Sequence, residues 1–359
     1  MLVFAKGSIV PQPRQQPIPK RKDQTMSANS FLKPTSRRAM LRDSAALAGS
    51  AFLAQIFPAS YLRAAVSFPG PQQSTSPTDP VAAFRAQMAA NPIQPQKLAD
   101  NLTLLSGPGG NVAVLNGPDG KFVVDTFVLP AWVKFKQSLD AISNASLKTV
   151  VNTHWHFDHV DNNAALHAAG ATILAHENTK KRMSEAHELL VLGLHFPPSP
   201  VDALPQQTFA TTRKLEANGE TLVLEHLAPA HTDTDVFVHF QKANVIHMGD
   251  TFFNSIYPYI DASTGGSVKG MIAAANRVLP LANDSTKIVP GHGPLGGKAE
   301  LVQFRDMLTT AGDRVGKLKS AGKSAQEAVA AKPLADLEDT WGKGFFPGDV
   351  FVQILYTAL

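Results

Sequence analysis

The apolar positions of this 359-residue chain change their spacing repeatedly after residue 100, and each change marks an element. Short runs at 101–105, 111–115 and 121–125 read as strands, separated by turn formers such as Gly117-Pro118-Asp119-Gly120. Residues 132–142 carry helical spacing, and 148–152 is a β-branched strand. Helix, strand and helix are expected over 162–169, 171–175 and 177–188. Two further groups of strands follow, with Asn218-Gly219 as a hairpin turn. A helix over 267–281, a strand over 286–289, a long amphipathic helix over 298–318 and a mainly helical remainder over 324–359 complete the series. Two strand-then-helix halves predict an α/β protein of the αββα sandwich type with additional C-terminal helices.

The first 80 residues follow a different rule. They are polar or small and rich in Pro, Gln and Ser, apart from an apolar stretch at 45–57. Ser36-Arg37-Arg38-Ala39-Met40-Leu41-Arg42 precedes that stretch, and Ala64-Ala65 follows it. A basic region, an apolar segment and small residues look like a bacterial signal peptide. The paired arginines resemble the twin-arginine export signal, which implies a periplasmic or otherwise exported protein that leaves the cytoplasm folded. Met26 then suits a signal start better than Met1, because the basic region it leaves has ordinary length. The expected organisation is a signal region over 1–65, a linker and lead-in over 66–99, the main domain over 100–297 and a helical extension over 298–359.

The net charge of +4 changes meaning once it is located. Residues 1–65 hold ten of the 33 Lys and Arg but two of the 29 Asp and Glu, leaving 23 basic and 27 acidic residues beyond them. The body is therefore mildly acidic and gives no electrostatic reason to bind nucleic acid. No apolar run approaches the ~18 residues of a spanning helix, so stable membrane insertion is not expected. The chain has no cysteine, which excludes thiolate nucleophiles, disulfides and thiolate-held metals. Any metal must be held by nitrogen and oxygen.

One stretch supplies such donors densely. Val150-Val151-Asn152-Thr153-His154-Trp155-His156-Phe157-Asp158-His159 runs a β-branched strand into three histidines and an aspartate within six residues. Residues two apart on an extended backbone point the same way, so His154 and His156 can reach one ion together. After the turn, Asp158 and His159 can face a second. His-x-His-x-Asp-His after a strand resembles the signature of the metallo-β-lactamase superfamily. The later elements of that pattern follow in order at Pro229-Ala230-His231-Thr232, His247-Met248-Gly249-Asp250 and Pro290-Gly291-His292-Gly293-Pro294.

The resemblance implies the αββα fold and a pair of metal ions. His154, His156 and His231 would hold the first, Asp158, His159 and His292 the second, with Asp250 bridging. This donor set suits two zinc ions and also admits iron or manganese. Asp125, at the end of 122–125, matches an aspartate that supports the metal loop. The implied activity is hydrolysis by a water made acidic between the metals, on a small-molecule lactone, β-lactam, ester or amide. Asp158 would also help a proton reach the leaving group, so Asp158 and Asp250 are the candidate catalytic residues. A carboxylate at position 250 looks more like lactonases and other di-metal hydrolases than like most β-lactamases.

Alternatives on the same fold are an iron-dependent oxidoreductase of the sulfur dioxygenase type and a non-catalytic metal module. Asp161 stands where a glycine often follows the His-Val pair, and it is expected to face solvent. Of the other histidines, His176, His226, His239 and His247 are expected to pack or hydrogen-bond, and His167, His187 and His195 to lie at the surface. The segments 189–201 and 252–261 are candidates to line a pocket, to join the core or to form a dimer contact. The helices after 298 either cap the sandwich or join copies into a homo-oligomer, with Trp341, Phe345 and Phe346 as anchors or core.

Overall fold

The computed structural model describes residues 79–189 and 191–359. The expected signal region, and the linker as far as residue 78, lie outside them.

The first described element belongs to the domain rather than to a linker. Helix α1 (Pro80–Ala89) starts on Asp79, whose carboxylate accepts from the Val81 N–H at 3.0 Å, with Pro80 in the first turn where its missing N–H costs nothing. Strand β1 (Gln94–Ala99) then pairs antiparallel with β2 (Leu102–Gly107), so the sheet begins six residues before the expected boundary at 100.

Alternation along the strands builds two layers of core. The first sheet continues through β3 (Gly110–Leu115), β4 (Lys121–Val124), β5 (Leu147–Val151) and β6 (Thr172–His176) to β9 (Gln207–Phe209). The second runs in order from β10 (Thr212–Ala217) through β11 (Glu220–His226), β12 (Val236–Phe240) and β13 (Val245–His247) to β14 (Lys287–Val289). Leu104, Ala113, Val124, Val151 and Leu174 of the first sheet share one apolar cluster with Leu222, Leu224, Val238, Val245 and Val289 of the second. Their neighbours in sequence, among them Val123, Val150, Ile173, Phe237, Ile246 and Ile288, belong to the other cluster with the helices. A period of two thus sends successive side chains to the sheet interface and to the helical layers. The expected αββα sandwich is what forms.

The predicted Asn218-Gly219 turn has positive φ at both residues, 54° and 72°, as a two-residue hairpin with matching twist requires. Helix α2 (Trp132–Ile142) keeps its expected bounds and buries Phe135 and Leu139. The expected helix at 177–188 is shorter. Helix α5 (Glu177–Met183), third after the two short helices of the metal loop, α3 (Phe157–Val160) and α4 (Asn163–Ala168), stops at Ser184. A hairpin of β7 (His187–Leu189) and β8 (Leu194–Phe196) then takes Leu189, Leu194 and Phe196 into the core. Helix α6 (Val268–Val278) yields to a 3₁₀ turn at Leu279–Leu281, where Pro280 has no N–H for the next helical bond.

After residue 297 come α7 (Lys298–Ser320), α8 (Ala325–Ala330), α9 (Glu338–Trp341) and α10 (Gly348–Ala358). Phe304, Leu308, Ala311 and Val315 of α7 and Phe351, Ile354 and Leu355 of α10 share the main apolar cluster, so these helices cap the sandwich. No helix among the described residues is long and apolar enough to cross a membrane.

Candidate metal centre

Strand β5 ends at Val151, and the next eight residues turn away from the sheet while remaining buried. Polar side chains hold this turn. Asn162 Nδ2 donates to the carbonyls of Thr126, Phe127 and Val128 at 2.7, 3.0 and 3.1 Å, and Asn152 Nδ2 donates to His159 O at 3.1 Å. Asp125, in the left-handed region at φ 67°, aims its carboxylate inward. Its Oδ1 accepts from Thr153 N, and its Oδ2 from Thr153 Oγ1 and His159 Nδ1, each at 2.8 Å. The expected supporting aspartate thus fixes both the loop and one imidazole.

The outer nitrogens of four imidazoles are engaged. Besides His159 on Asp125, His154 Nδ1 lies 3.1 Å from Thr153 Oγ1, whose own proton goes to Asp125. His156 Nε2 donates to Asp261 Oδ2 at 3.2 Å, and His231 Nδ1 to Tyr259 O at 2.9 Å. These bonds set the tautomers and turn the remaining lone pairs inward. The role of Asp261 was not legible in the sequence beyond its place in a pocket segment.

The inward atoms form two adjoining groups. His154, His156, His231 and Asp250 each offer one ligand atom within 4.8 Å of the others, and Asp158, His159 and His292 do the same. All seven are buried. Asp250 lies between the groups. Its Oδ2 is 3.8, 3.5 and 3.3 Å from Nε2 of His154, His231 and His292, and its Oδ1 is 3.1 Å from His159 Nε2. His292 Nε2 also lies 3.2 Å from Asp158 Oδ2. The structure therefore brings all seven expected ligands together.

The donor set fits metal ions on one test internal to the structure. His154 Nε2, His159 Nε2 and Asp250 Oδ1 are buried without a hydrogen-bond partner. Buried polar atoms are rarely left so, and three within the two ligand groups call for a partner there. His156 Nδ1 and His231 Nε2 face each other at 2.8 Å, although both rings already place their proton on the far nitrogen. A cation between these lone pairs removes the conflict.

Protonation in the absence of metal follows from the same packing. Burial, and then neighbouring imidazoles, hold His154 well below its usual value and bring His231 down to about 4. Burial also opposes charge on His159 and His292, but adjacent carboxylates win, holding His159 well above its usual value and His292 up at about 9. Asp158 and Asp250 pay the same burial penalty, yet the imidazoles beside them, His159 for Asp158 and His292 then His159 for Asp250, hold both below the usual carboxylate range. At pH 7 two imidazoles thus carry protons that a metal must displace. Metal binding at that pH is expected to release roughly two protons per chain. Calorimetry in buffers of different ionisation enthalpy measures this directly, and release near zero would contradict it.

Two surrounding residues, Asp161 and His187, differ from expectation. Asp161 does not face solvent. Arg85 of α1 clamps its carboxylate with Nε–Oδ2 and Nη2–Oδ1 bonds of 2.7 Å, and the Leu129 N–H adds a third at 3.0 Å. The partner comes from a helix 76 residues upstream, so the metal loop is tied to α1. His187 is not a surface residue but packs in the hairpin, its ring 4.6 Å from that of Trp155. Tyr257 of the second pocket segment stacks on Phe351 at 4.5 Å and belongs to the core. His247 behaves as expected, buried with Nε2 3.1 Å from Asn111 O.

A family model for the metallo-beta-lactamase superfamily matches residues 106–292, a span that starts in β2 and ends on His292. The chain belongs to this superfamily. Its two ligand groups could each hold a metal ion, which suggests a dinuclear site. Solved structures agree on the fold. A metallo-beta-lactamase from Pontibacter korlensis is similar with a TM-score of 0.52 and 18% identity, over 60% of this chain and 99% of its own. The DIM-1 metallo-beta-lactamase gives 0.51 and 18%, over 61% and 98%. The stereoselective inverting sec-alkylsulfatase Pisa1 from Pseudomonas sp. gives 0.53 and 13%, over 74% of this chain but 50% of that one. At these identities the likeness is one of fold. No curated protein matches the chain.

Proposed function

We propose that the protein is a zinc-dependent hydrolase of small molecules, acting on a lactone or other ester, with β-lactams and amides as further substrates of the same chemistry. The observation that carries this reading is the gathering of seven buried ligand residues into two adjoining groups, three of their polar atoms unpartnered, with Asp250 between the groups. His154, His156 and His231 would hold one ion, Asp158, His159 and His292 the other, and Asp250 both. A pair of divalent ions supplies a water acidic enough to attack near neutral pH and positive charge for the oxyanion that develops.

The chain's own groups do the rest. Asp125, Thr153, Asp261 and the Tyr259 carbonyl fix the imidazoles, so little reorganisation is needed as charge develops. Asp158, whose Oδ2 lies 3.2 Å from His292 Nε2, would be the carboxylate that carries a proton towards the leaving group. A mononuclear iron oxygenase would leave Asp158, His159 and His292 without a task, which counts against that alternative. The resemblance of Asp250 to the carboxylate of lactonases ranks lactones ahead of β-lactams.

The test is hydrolysis of an acyl lactone and of a chromogenic cephalosporin by the zinc-loaded chain, with a chelated control. Chelator-sensitive lactone hydrolysis at about 10⁴ M⁻¹s⁻¹ or more is expected. The same rate on the cephalosporin alone would make the protein a β-lactamase instead. No chelator-sensitive turnover of either substrate by fully metallated protein would contradict the reading. Residues 1–65 further support a proposal of export, which cell fractionation tests: the protein is expected in the periplasm, shortened near residue 65.

A further inference from the structure

The helical extension reaches the metal centre, and it does so with aromatic side chains. The Tyr257 N–H donates to Trp341 O at 2.9 Å. A Cβ on Gly344 would lie 2.6 Å from Ile256 Cβ, so the turn at 342–346 runs flush against the chain that follows Asp250. The next residue, Phe345, stands edge-on to the His292 ring with centroids 5.6 Å apart and planes at 88°. Phe346 lies 6.1 Å from Tyr259, whose ring is in turn 6.0 Å from His156 and 6.2 Å from His231. This aromatic arc therefore touches ligands of both groups.

The members of the arc differ in exposure. Phe346 and Tyr259 are each 7% exposed and serve the core, whereas Phe345 is 41% exposed, one of five such large apolar side chains among the described residues. A phenyl left partly in water contributes less to folding than a buried one, because the transfer that would stabilise it is incomplete. Its neighbour is a metal-ligand histidine, so the apolar surface it offers faces whatever occupies the centre. Small-molecule sites combine walls of this kind with a few polar groups, which the ligand cluster here supplies.

We propose that Phe345 is a specificity residue, packing on an apolar group of phenyl or branched-alkyl size that the substrate carries on the His292 side of the centre. The proposal rests on the hydrolase reading and names the substrate class within it. It also gives the extension a task beyond capping: to complete the substrate site.

Acetohydroxamate and phenylacetohydroxamate, which share a metal-binding group and differ by a phenyl ring, test this by calorimetric titration of the full-length metal-loaded chain. The wild type is expected to prefer the phenyl probe about tenfold or more, from the apolar area covered. Phe345→Ala is expected to bring the ratio towards one while metal content and acetohydroxamate affinity hold. Phe345→Leu, which keeps an apolar side chain and guards against a folding defect in the alanine variant, should retain most of the preference. No preference in the wild type, or one unchanged in Phe345→Ala, overturns the proposal. Failure of both probes to bind fully metallated wild type would strike the hydrolase reading itself, and the proposal would fall with it.

Discussion

Asp250→Ala is expected to leave the chain folded, to lower its metal content below two ions and to reduce hydrolysis about 10³-fold or more, some 4 kcal/mol of barrier. Among the described residues Asp250 is the one carboxylate within 3.8 Å of ligand nitrogens from both groups, so its loss uncouples them. It also raises the proton affinity of two imidazoles, and removing it is expected to shift His159 and His292 down in the metal-free protein. Proton titration of the histidines by NMR reads that shift, and its sign is fixed: less attraction, easier deprotonation. Asp250→Asn keeps the shape and discards the charge, and should reproduce the downward shift with smaller structural cost. Loss of folding in both variants, rather than of metal and activity, would mean that the centre is a structural module.

Gly291→Ala alters no ligand, yet is expected to have the second-largest effect. A Cβ there would lie 1.9 Å from Asp250 Oδ1, 2.7 Å from Gly249 C and 2.9 Å from Asp250 N. Backbone on both sides prevents an easy retreat: Gly291 N donates to the carbonyls of Gly249 and Phe252 at 2.7 and 3.0 Å, and its own carbonyl accepts from Asn111 N at 2.9 Å. The substitution must therefore push the bridging carboxylate aside or move the turn that carries His292. A loss of about 1–3 kcal/mol of stability is expected from the overpacking. A fall of about 10- to 100-fold in metal affinity should accompany it, comparable to removing support for a ligand. Denaturant unfolding and metal competition measure the two separately. A variant with wild-type metal affinity would show that Asp250 does not occupy the space the structure gives it.

The metal centre was legible in the sequence to an unusual degree because four of its ligands fall within six residues, where strand geometry alone brings them together. His231, Asp250 and His292 lie far along the chain, and their order after the first motif, rather than any local pattern, pointed to them. What supports the ligands was harder to read. Asp125 ends an ordinary strand and was recognisable by resemblance, whereas Asp261 and the Arg85 clamp on Asp161 depend on tertiary approach that no local spacing encodes. The sheet itself followed from alternation, which is why its strands needed small corrections. Strand β1 escaped because Gln94-Pro95-Gln96-Lys97 are all exposed at the sheet edge and leave no apolar pattern. The hairpin 187–196 escaped because three-residue strands are too short to show a period against the helix before them. Exposure of Phe345 beside His292 is likewise a property of packing, invisible in a segment that reads equally well as core.

The measurement that bears most directly on this account is the metal content of the purified full-length chain, by elemental analysis, with anomalous diffraction at the zinc edge to place what is found. Two zinc ions per chain are predicted, one among His154, His156 and His231, the other among Asp158, His159 and His292, with Asp250 touching both. A chain that takes up no divalent ion, or binds it away from these seven residues, would contradict the account.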